Sequence, residues 1–293
     1  MTEKQMTSTS LVLGSGGARG LAHIGVLRWL KENGYEVESI SGCSIGALVG
    51  GVHAAGKLDE FEEWVCAIDR LDILRLLDFT WGSNGLVRGD RVIETLTDLV
   101  GDRQIEDLPI AFTAVATNLH TEKEVWFSKG PLFDAIRASI SLPLFFTPFR
   151  HRGMDLIDGG VLNPVPIAPT FGDDTQTTLA VNLEGPLEKR PRDSRPVTKD
   201  EPFAPAKQKI RQFFSNLGIG EEQADETALN TREIIHQTFD SMQGTIARQK
   251  LAAYPPDAVI TIPRDACGLL EFDRAEELIE LGYERAGKCL TPV

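Results

Sequence analysis

The chain has 293 residues, 42% of them apolar and 25% charged, with a formal net charge of −13. That length and apolar content suit one α/β domain with a sizeable core. The acidic balance is poorly suited to holding nucleic acid, and an anionic membrane would repel it unless a basic patch were segregated on one face.

The polar start, MTEKQMTSTS, lacks the basic n-region and long apolar stretch of a secretory signal. No run approaches the ~20 apolar residues of a transmembrane helix. Cys43, Cys66, Cys267 and Cys289 form no C-x-x-C pair. They read as free thiols in a reducing cytosol, so a cytoplasmic location is expected.

In chain order, SLVLGSGGARG reads as a short buried strand that breaks at glycines. GARGLAHIGVLRWLKENG then reads as a helix, with Leu21, Ile24, Leu27 and Leu30 every third residue and Gly34 as its C-cap. Ala18, Ala22 and Gly25 make a second face, small enough for close approach to a sheet or another helix. YEVESISG is a second strand, and it runs through a serine turn into the helix SIGALVGGVHAAGK. Glycines cost a helix about 1 kcal/mol each, so a helix this rich in them implies that tight packing outweighs propensity.

LDEFEEWVCAID and RVIETLTDLV are amphipathic helices. LPIAFTAVATNL is a near-continuous apolar run, as expected of a strand buried on both faces, with KEVWFSKG paired to it. LFDAIRASIS is helical and stops before Pro143, MDLIDGG is a short strand ending in an acid and two glycines, and TTLAVNLEG is another buried strand. Five prolines among charges between Pro186 and Pro205 predict a flexible exposed loop over about 186–206. Two helical stretches follow, then the strand DAVITIP. The last helix, DRAEELIELGYERAG, is opened by a capping-box pair, Asp273 and Glu276.

Strands alternating with helices predict a mainly parallel sheet with helices on both faces, its active site at the carboxyl ends of strands. Three glycine-marked strand ends stand out there: Gly14–Gly20, Gly42–Gly46 and Asp158–Gly160.

Gly42-Cys43-Ser44-Ile45-Gly46 is G-x-S-x-G with a strand before it and a helix after it. That context is what a nucleophile elbow requires, and it sets Ser44 at the N-terminus of a helix, where developing negative charge is favoured. The competing reading is a chance match in a glycine-rich turn. GSGGARG misses the dinucleotide-binding G-x-G-x-x-G by one residue, because Arg19 stands where the third glycine would be. Its amides around Gly16, Gly17 and Ala18 suit an oxyanion hole. Arg19 adds positive potential there or, equally, braces the loop to nearby carbonyls. Asp158, before Gly159 and Gly160, is by itself an ordinary Asp-Gly turn, but its strand end faces the same crevice as Ser44.

Histidines are scarce: His23 and His53 lie inside glycine-opened helices, His120 in a polar turn, His151 in the basic turn FRHRG and His236 in a helix. Ser44, Asp158 and His236 follow the α/β-hydrolase order, although few strands precede Ser44 for that fold. No H-E-x-x-H, Cys/His cluster or Walker loop is present, which predicts no metal and no nucleotide cofactor.

The stretches LVLGSGGARGLAHIGVLRWL, SGCSIGALVGG, GLVRGDRV, ASISLPLFFTPF and LIDGGVLNPVP, taken together, resemble the bacterial cytosolic patatin-like phospholipases. The resemblance runs in the family's order from about Leu11 to Pro169, with Ser15 standing where the family often has a further glycine. It implies a three-layer α/β/α sandwich, with a catalytic core over 11–169 and residues 170–293 completing the same domain. It also implies a Ser44–Asp158 dyad in place of a triad, an oxyanion hole at Gly16–Arg19, acyl-lipid or other ester substrates and no metal. Hydrolysis and acyl transfer remain alternatives, as does a lipid-binding regulator that keeps the pocket. Ile210, Phe213, Phe214 and Leu217 recur at helical spacing, and residues 187–212 carry eight Lys/Arg against four Asp/Glu. A flap over 186–217 in transient contact with a membrane surface is one reading of that pattern, and a helix packed on the core is the other.

Overall fold

The computed structural model describes residues 6–69, 72–73, 89–143, 145–188 and 231–293. Residues up to 188 and from 240 onward fold as one compact unit; of the second unit, Lys189–Phe239, only the helix from Thr231 is described. The loop expected at 186–206 therefore lies outside the described residues from 189 on, and so does most of the expected flap.

Strands and helices are interspersed along the described chain, as the sequence predicts. Their order runs β1 (Thr7–Leu13), α1 (Ala22–Glu32), β2 (Tyr35–Cys43), α2 (Ile45–Ala54), α3 (Leu58–Ala67), α4 (Asp90–Val100), β3 (Ala111–Asn118), β4 (Lys123–Phe127) and α5 (Leu132–Ser139). After these come β5 (Phe149–His151), β6 (Met154–Asp158), β7 (Thr177–Gly185), α6 (Thr231–Ala253), β8 (Ala258–Pro263) and α7 (Ala275–Cys289). β2, β1, β7 and β8 are parallel neighbours, and β3 joins β2 in parallel. β4 and β6 run antiparallel to β3, and β5 to β6.

β1, β3 and β7 are buried on both faces over most of their length, which is why their central residues are mainly apolar. Leu11 and Leu13 of β1 face the main core with α1 and α2, whereas Val12 between them joins Ala180, Val165 and Ala247 of α6 in a second core. Leu179, Val181 and Leu183 of β7 repeat the alternation. Helices thus cover both faces of the sheet, and the molecule is a three-layer α/β/α sandwich.

Four features depart from the sequence reading. α1 begins only at Ala22, because Gly17–Leu21 forms a 3-10 turn first. β5 takes the segment read as a basic turn, and the turn itself is at Arg152 and Gly153, both at positive φ. Asp158 ends a strand that is antiparallel to its neighbour. The capping box is not formed: Phe272–Arg274 makes a 3-10 turn, and α7 starts after Arg274 with no side-chain cap.

The small-residue face of α1 meets α7. A Cβ on Gly25 would strike the Ile279 carbonyl, and one on Gly282 would strike the carbonyl of Ala22. The two helix backbones cross in contact, with nothing flexible between them to yield. Gly25→Ala and Gly282→Ala are therefore each expected to destabilise by about 1–3 kcal/mol, the cost of overpacking a filled contact. The midpoint of urea unfolding measures this, and an unchanged midpoint in both variants would contradict the crossing.

Candidate active site

Strand pairing on β3 builds the site. Ala114 and Val115 pair with Gly42 and Cys43 of β2 on one edge and with Phe127 and Trp126 of β4 on the other. From Ala116 onward β4 stays, but the edge that β2 vacates is taken by β6, with Ala116 opposite Asp158. β2 and β6 thus run toward each other along one edge of β3, and their carboxyl ends meet between Val115 and Ala116.

Ser44 follows directly from β2 at φ 56° and ψ −125°, a left-handed conformation that costs a serine on the order of 1–3 kcal/mol and persists only under constraint. The constraint is visible. The Ser44 N–H donates to Ser139 Oγ at 2.9 Å, and Ser139 Oγ donates to the Val115 carbonyl at 2.7 Å. Helix α2 lies so close to β1 that a Cβ on Gly46 would strike the Leu13 carbonyl, while one on Gly42 would meet the Gly46 carbonyl at 2.5 Å. Ser139 stands in the stretch ASISLPLFFTPF, but no local pattern marks it as the group that pins the elbow.

Ser44 Oγ donates to Asp158 Oδ2 at 2.5 Å. The other carboxylate oxygen accepts the Gly160 N–H at 2.7 Å and lies 3.9 Å from the Cys43 thiol. Asp158 is 1% exposed. Burial pushes its carboxyl up to about 6, against the downward pull of the hydrogen bonds from Ser44, Gly160 and Cys43. Gly159 sits against β3, where a Cβ would strike the Val115 carbonyl, and the Asp158 N–H donates to the Ser141 carbonyl at 3.0 Å.

The glycine loop after β1 is braced on all sides. The N–H groups of Gly14, Ser15 and Ala18 donate to Val181, Pro164 and Leu269 carbonyls at 3.1, 2.8 and 2.9 Å. Buried His23, pushed down to about 4 by desolvation, is neutral and donates from Nε2 to the Gly14 carbonyl at 2.9 Å. Ser15 Oγ accepts from Gln243 of α6 at 3.3 Å, which accounts for a serine at that position. The Arg19 guanidinium is buried and turned into the protein. It reaches the Gly16 carbonyl at 3.1 Å, the Arg264 carbonyl at 2.6 Å and Glu184 at 2.8 Å. Of the two roles open to Arg19, the structure shows the brace. Burial nevertheless pushes the Glu184 carboxyl up to about 7, outweighing the pull of Arg19. Among the described residues the Gly16 and Gly17 N–H groups have no hydrogen-bond partner, while that of Ala18 is engaged by Leu269.

Ser44 and Gly17 open onto one cavity of about 150 Å³, whose wall is otherwise apolar. Leu48 of α2, Phe61, Trp64, Val65 and Ile68 of α3 and Val92 and Leu96 of α4 line it. Leu142 and Phe146 on one loop and Leu269, Leu270 and Phe272 on another add to the wall. Sequence periodicity marks the α3 residues as apolar, but not that they face the serine.

None of the described histidine side chains touches Ser44 or Asp158. His120 pairs with Asp155 at 2.7 Å, and His151 lies 3.8 Å from Asp134. Desolvation pushes His53 down to about 4, and the side chain of His236 lies outside the described residues. Among the described residues, no three of His, Cys, Asp and Glu converge as a metal cage would need, and no helix is long and apolar enough to cross a membrane.

Residues 11–171, more than half of the chain, match the family model for patatin-like phospholipases. The chain belongs to that family. An uncharacterized NTE family protein of Mycobacterium bovis is 39% identical over 96% of this chain and 91% of its own length. Lysophospholipase NTE1 of Saccharomyces cerevisiae is 33% identical over 59% of this chain, a match that covers 10% of that longer protein. Among solved structures, VipD from Legionella pneumophila aligns with 97% of this chain and 66% of its own, at 14% identity and a TM-score of 0.46.

The buried Asp158 has a consequence for stability. Its folded value of about 6 is raised above the ordinary 3.8. The folded protein therefore holds this proton more tightly than the unfolded chain, and the associated stability is lost as pH rises from about 4 to about 6. Above pH 6 the ionised carboxylate is a net cost on the order of 2–3 kcal/mol. Asp158→Asn is expected to melt a few degrees higher than the wild type at pH 8, with the gap closing toward pH 4. Calorimetry across that range checks it, and a gap that widens on acidification would contradict the burial.

Proposed function

We propose that this patatin-like protein is a lipid acyl hydrolase of lysophospholipase or carboxylesterase type, working through a Ser44–Asp158 dyad. The observation that carries the reading is the 2.5 Å hydrogen bond to a buried carboxylate from the Oγ of Ser44, a residue that lines an apolar cavity. The lysophospholipase named among its relatives supports the substrate class.

An acyl chain lies in the cavity, with its ester carbonyl between Ser44 and the glycine loop. Ser44 Oγ attacks the carbonyl carbon as its proton passes to Asp158 Oδ2. A carboxylate raised to about 6 is a better proton acceptor at neutral pH than an ordinary aspartate, yet it remains ionised there. Negative charge develops on the carbonyl oxygen, and the Gly16 and Gly17 amides, without a partner among the described residues, hold it. Asp158 then protonates the leaving alcohol as the carbon–oxygen bond breaks, which leaves an acyl-serine. Water attacks that ester, gives its proton to Asp158, and Ser44 recovers the proton as the fatty acid departs.

Because the base must be ionised, kcat/KM for a 4-nitrophenyl ester is expected to fall about tenfold per pH unit below pH ~6 and to level off above it. Ser44→Ala and Asp158→Asn are each expected to lose on the order of 10³-fold or more in kcat, with the double variant scarcely worse, since the two residues act as one unit. His236→Ala is expected to stay close to wild type. A loss in His236→Ala comparable to that in Ser44→Ala would replace the dyad with a histidine triad.

A further inference from the structure

Leu269 belongs to two parts of the molecule at once. Its side chain lines the apolar cavity, and its carbonyl accepts the Ala18 N–H at 2.9 Å. The contact with the glycine loop is intimate: a Cβ on Gly17, which sits at φ 58°, would strike both the Leu269 side chain and its carbonyl oxygen. The segment that carries Leu269 is anchored on both sides. Toward β8, the Arg264 carbonyl accepts from Arg19 at 2.6 Å, and the Ala266 N–H donates to Pro263 at 3.1 Å. Toward α7, the Glu271 carboxylate takes the Gly268 N–H at 3.0 Å and Arg274 at 2.8 Å. Leu269 lies between these anchors, half-buried, with its side chain packed on Gly17 and bordering space that an acyl chain would fill.

We propose that Leu269 is a positioning residue that couples acyl-chain seating to the oxyanion amides. The inference rests on the acyl-hydrolase reading above and adds to it a link between the two halves of the site. A chain packed against the Leu269 side chain restricts that residue. The Leu269 carbonyl then fixes Ala18, and with it the direction of the adjoining Gly17 and Gly16 N–H groups. Binding energy gathered several bonds from the carbonyl is used to order the groups that hold the transition state. Chain length therefore acts on kcat, whereas a passive wall would act on KM alone.

The test is a series of 4-nitrophenyl esters from acetate to octanoate, kept below micelle-forming concentrations, with kcat and KM measured separately for wild type, Leu269→Ala and Leu269→Ile. In wild type, kcat is expected to rise about tenfold along the series, within the range that positioning effects reach. In Leu269→Ala the rise is expected to shrink to below about twofold, and Leu269→Ile, which restores apolar bulk, is expected to recover part of it. A fall in kcat by one common factor at every length would mean a merely structural role and overturn the proposal, as would a change confined to KM. A wild type that turns over the esters with kcat flat across the series overturns the coupling alone. One that turns over none overturns the hydrolase reading and the coupling with it. A second measurement needs no variant: wild-type protein phosphonylated at Ser44 by octyl or methyl fluorophosphonate is compared by amide hydrogen exchange. Slower exchange at Gly16–Ala18 with the octyl adduct supports the coupling, and identical exchange overturns it.

Discussion

One edge of β3 holds the Ser44–Asp158 pair together. It is shared end to end by two strands that approach from opposite directions, β2 in parallel and β6 antiparallel. The last residue of each pairs with Val115 or Ala116, so the two carboxyl ends must be neighbours. Ser44 and Asp158 lie 114 positions apart in sequence, and this pairing places their side chains within hydrogen-bond reach without any mobile segment. The register is strict because a strand displaced by one residue turns its side chains to the opposite face. The geometry of the Ser44–Asp158 hydrogen bond is therefore a property of the sheet.

Burial gives Asp158 its raised affinity for a proton, and it also makes the ionised site costly. The structure offsets that cost with short-range hydrogen bonds from Ser44 and Gly160, with no cation among the partners described for the carboxylate. Cations are used elsewhere. Arg19 crosslinks the glycine loop, the segment after β8 and Glu184 of β7, so that the loop cannot collapse onto its own amides. A strained elbow, a buried carboxylate and a loop whose Gly16 and Gly17 N–H groups have no partner among the described residues each work against stability. They persist because close contacts such as Gly46 on Leu13 and Gly25 on α7 leave the surrounding backbone no alternative.

The parts of this arrangement that local pattern determines were legible in the sequence. A strand, a glycine turn and a helix announce the elbow within a dozen residues, β3 reads as an apolar run, and β1, β7 and β8 read as strands. The parts that depend on distant pairing were not. β5 has only three residues, two of them basic, which is too short for any periodicity to register. The direction of β6 is decided by which edge of β3 is vacant, and no motif encodes that. Ser139 braces Ser44 across 95 positions, and Leu269 reaches the glycine loop through a backbone carbonyl, which any residue type would supply. The resemblance of those stretches, taken together, to one family reached further than any single motif, because it implied the sandwich and the Ser44–Asp158 pair, though not the pairing of β5 and β6.

The central claim is that Ser44 is a nucleophile activated by Asp158 alone. A fluorophosphonate that reacts with activated serines, followed by intact-mass and peptide mass spectrometry, tests it most directly. Wild type is expected to gain one adduct, located on Ser44, with Ser44→Ala unlabelled and Asp158→Asn labelled far more slowly. An adduct on another residue, or labelling of Asp158→Asn at the wild-type rate, would contradict the account.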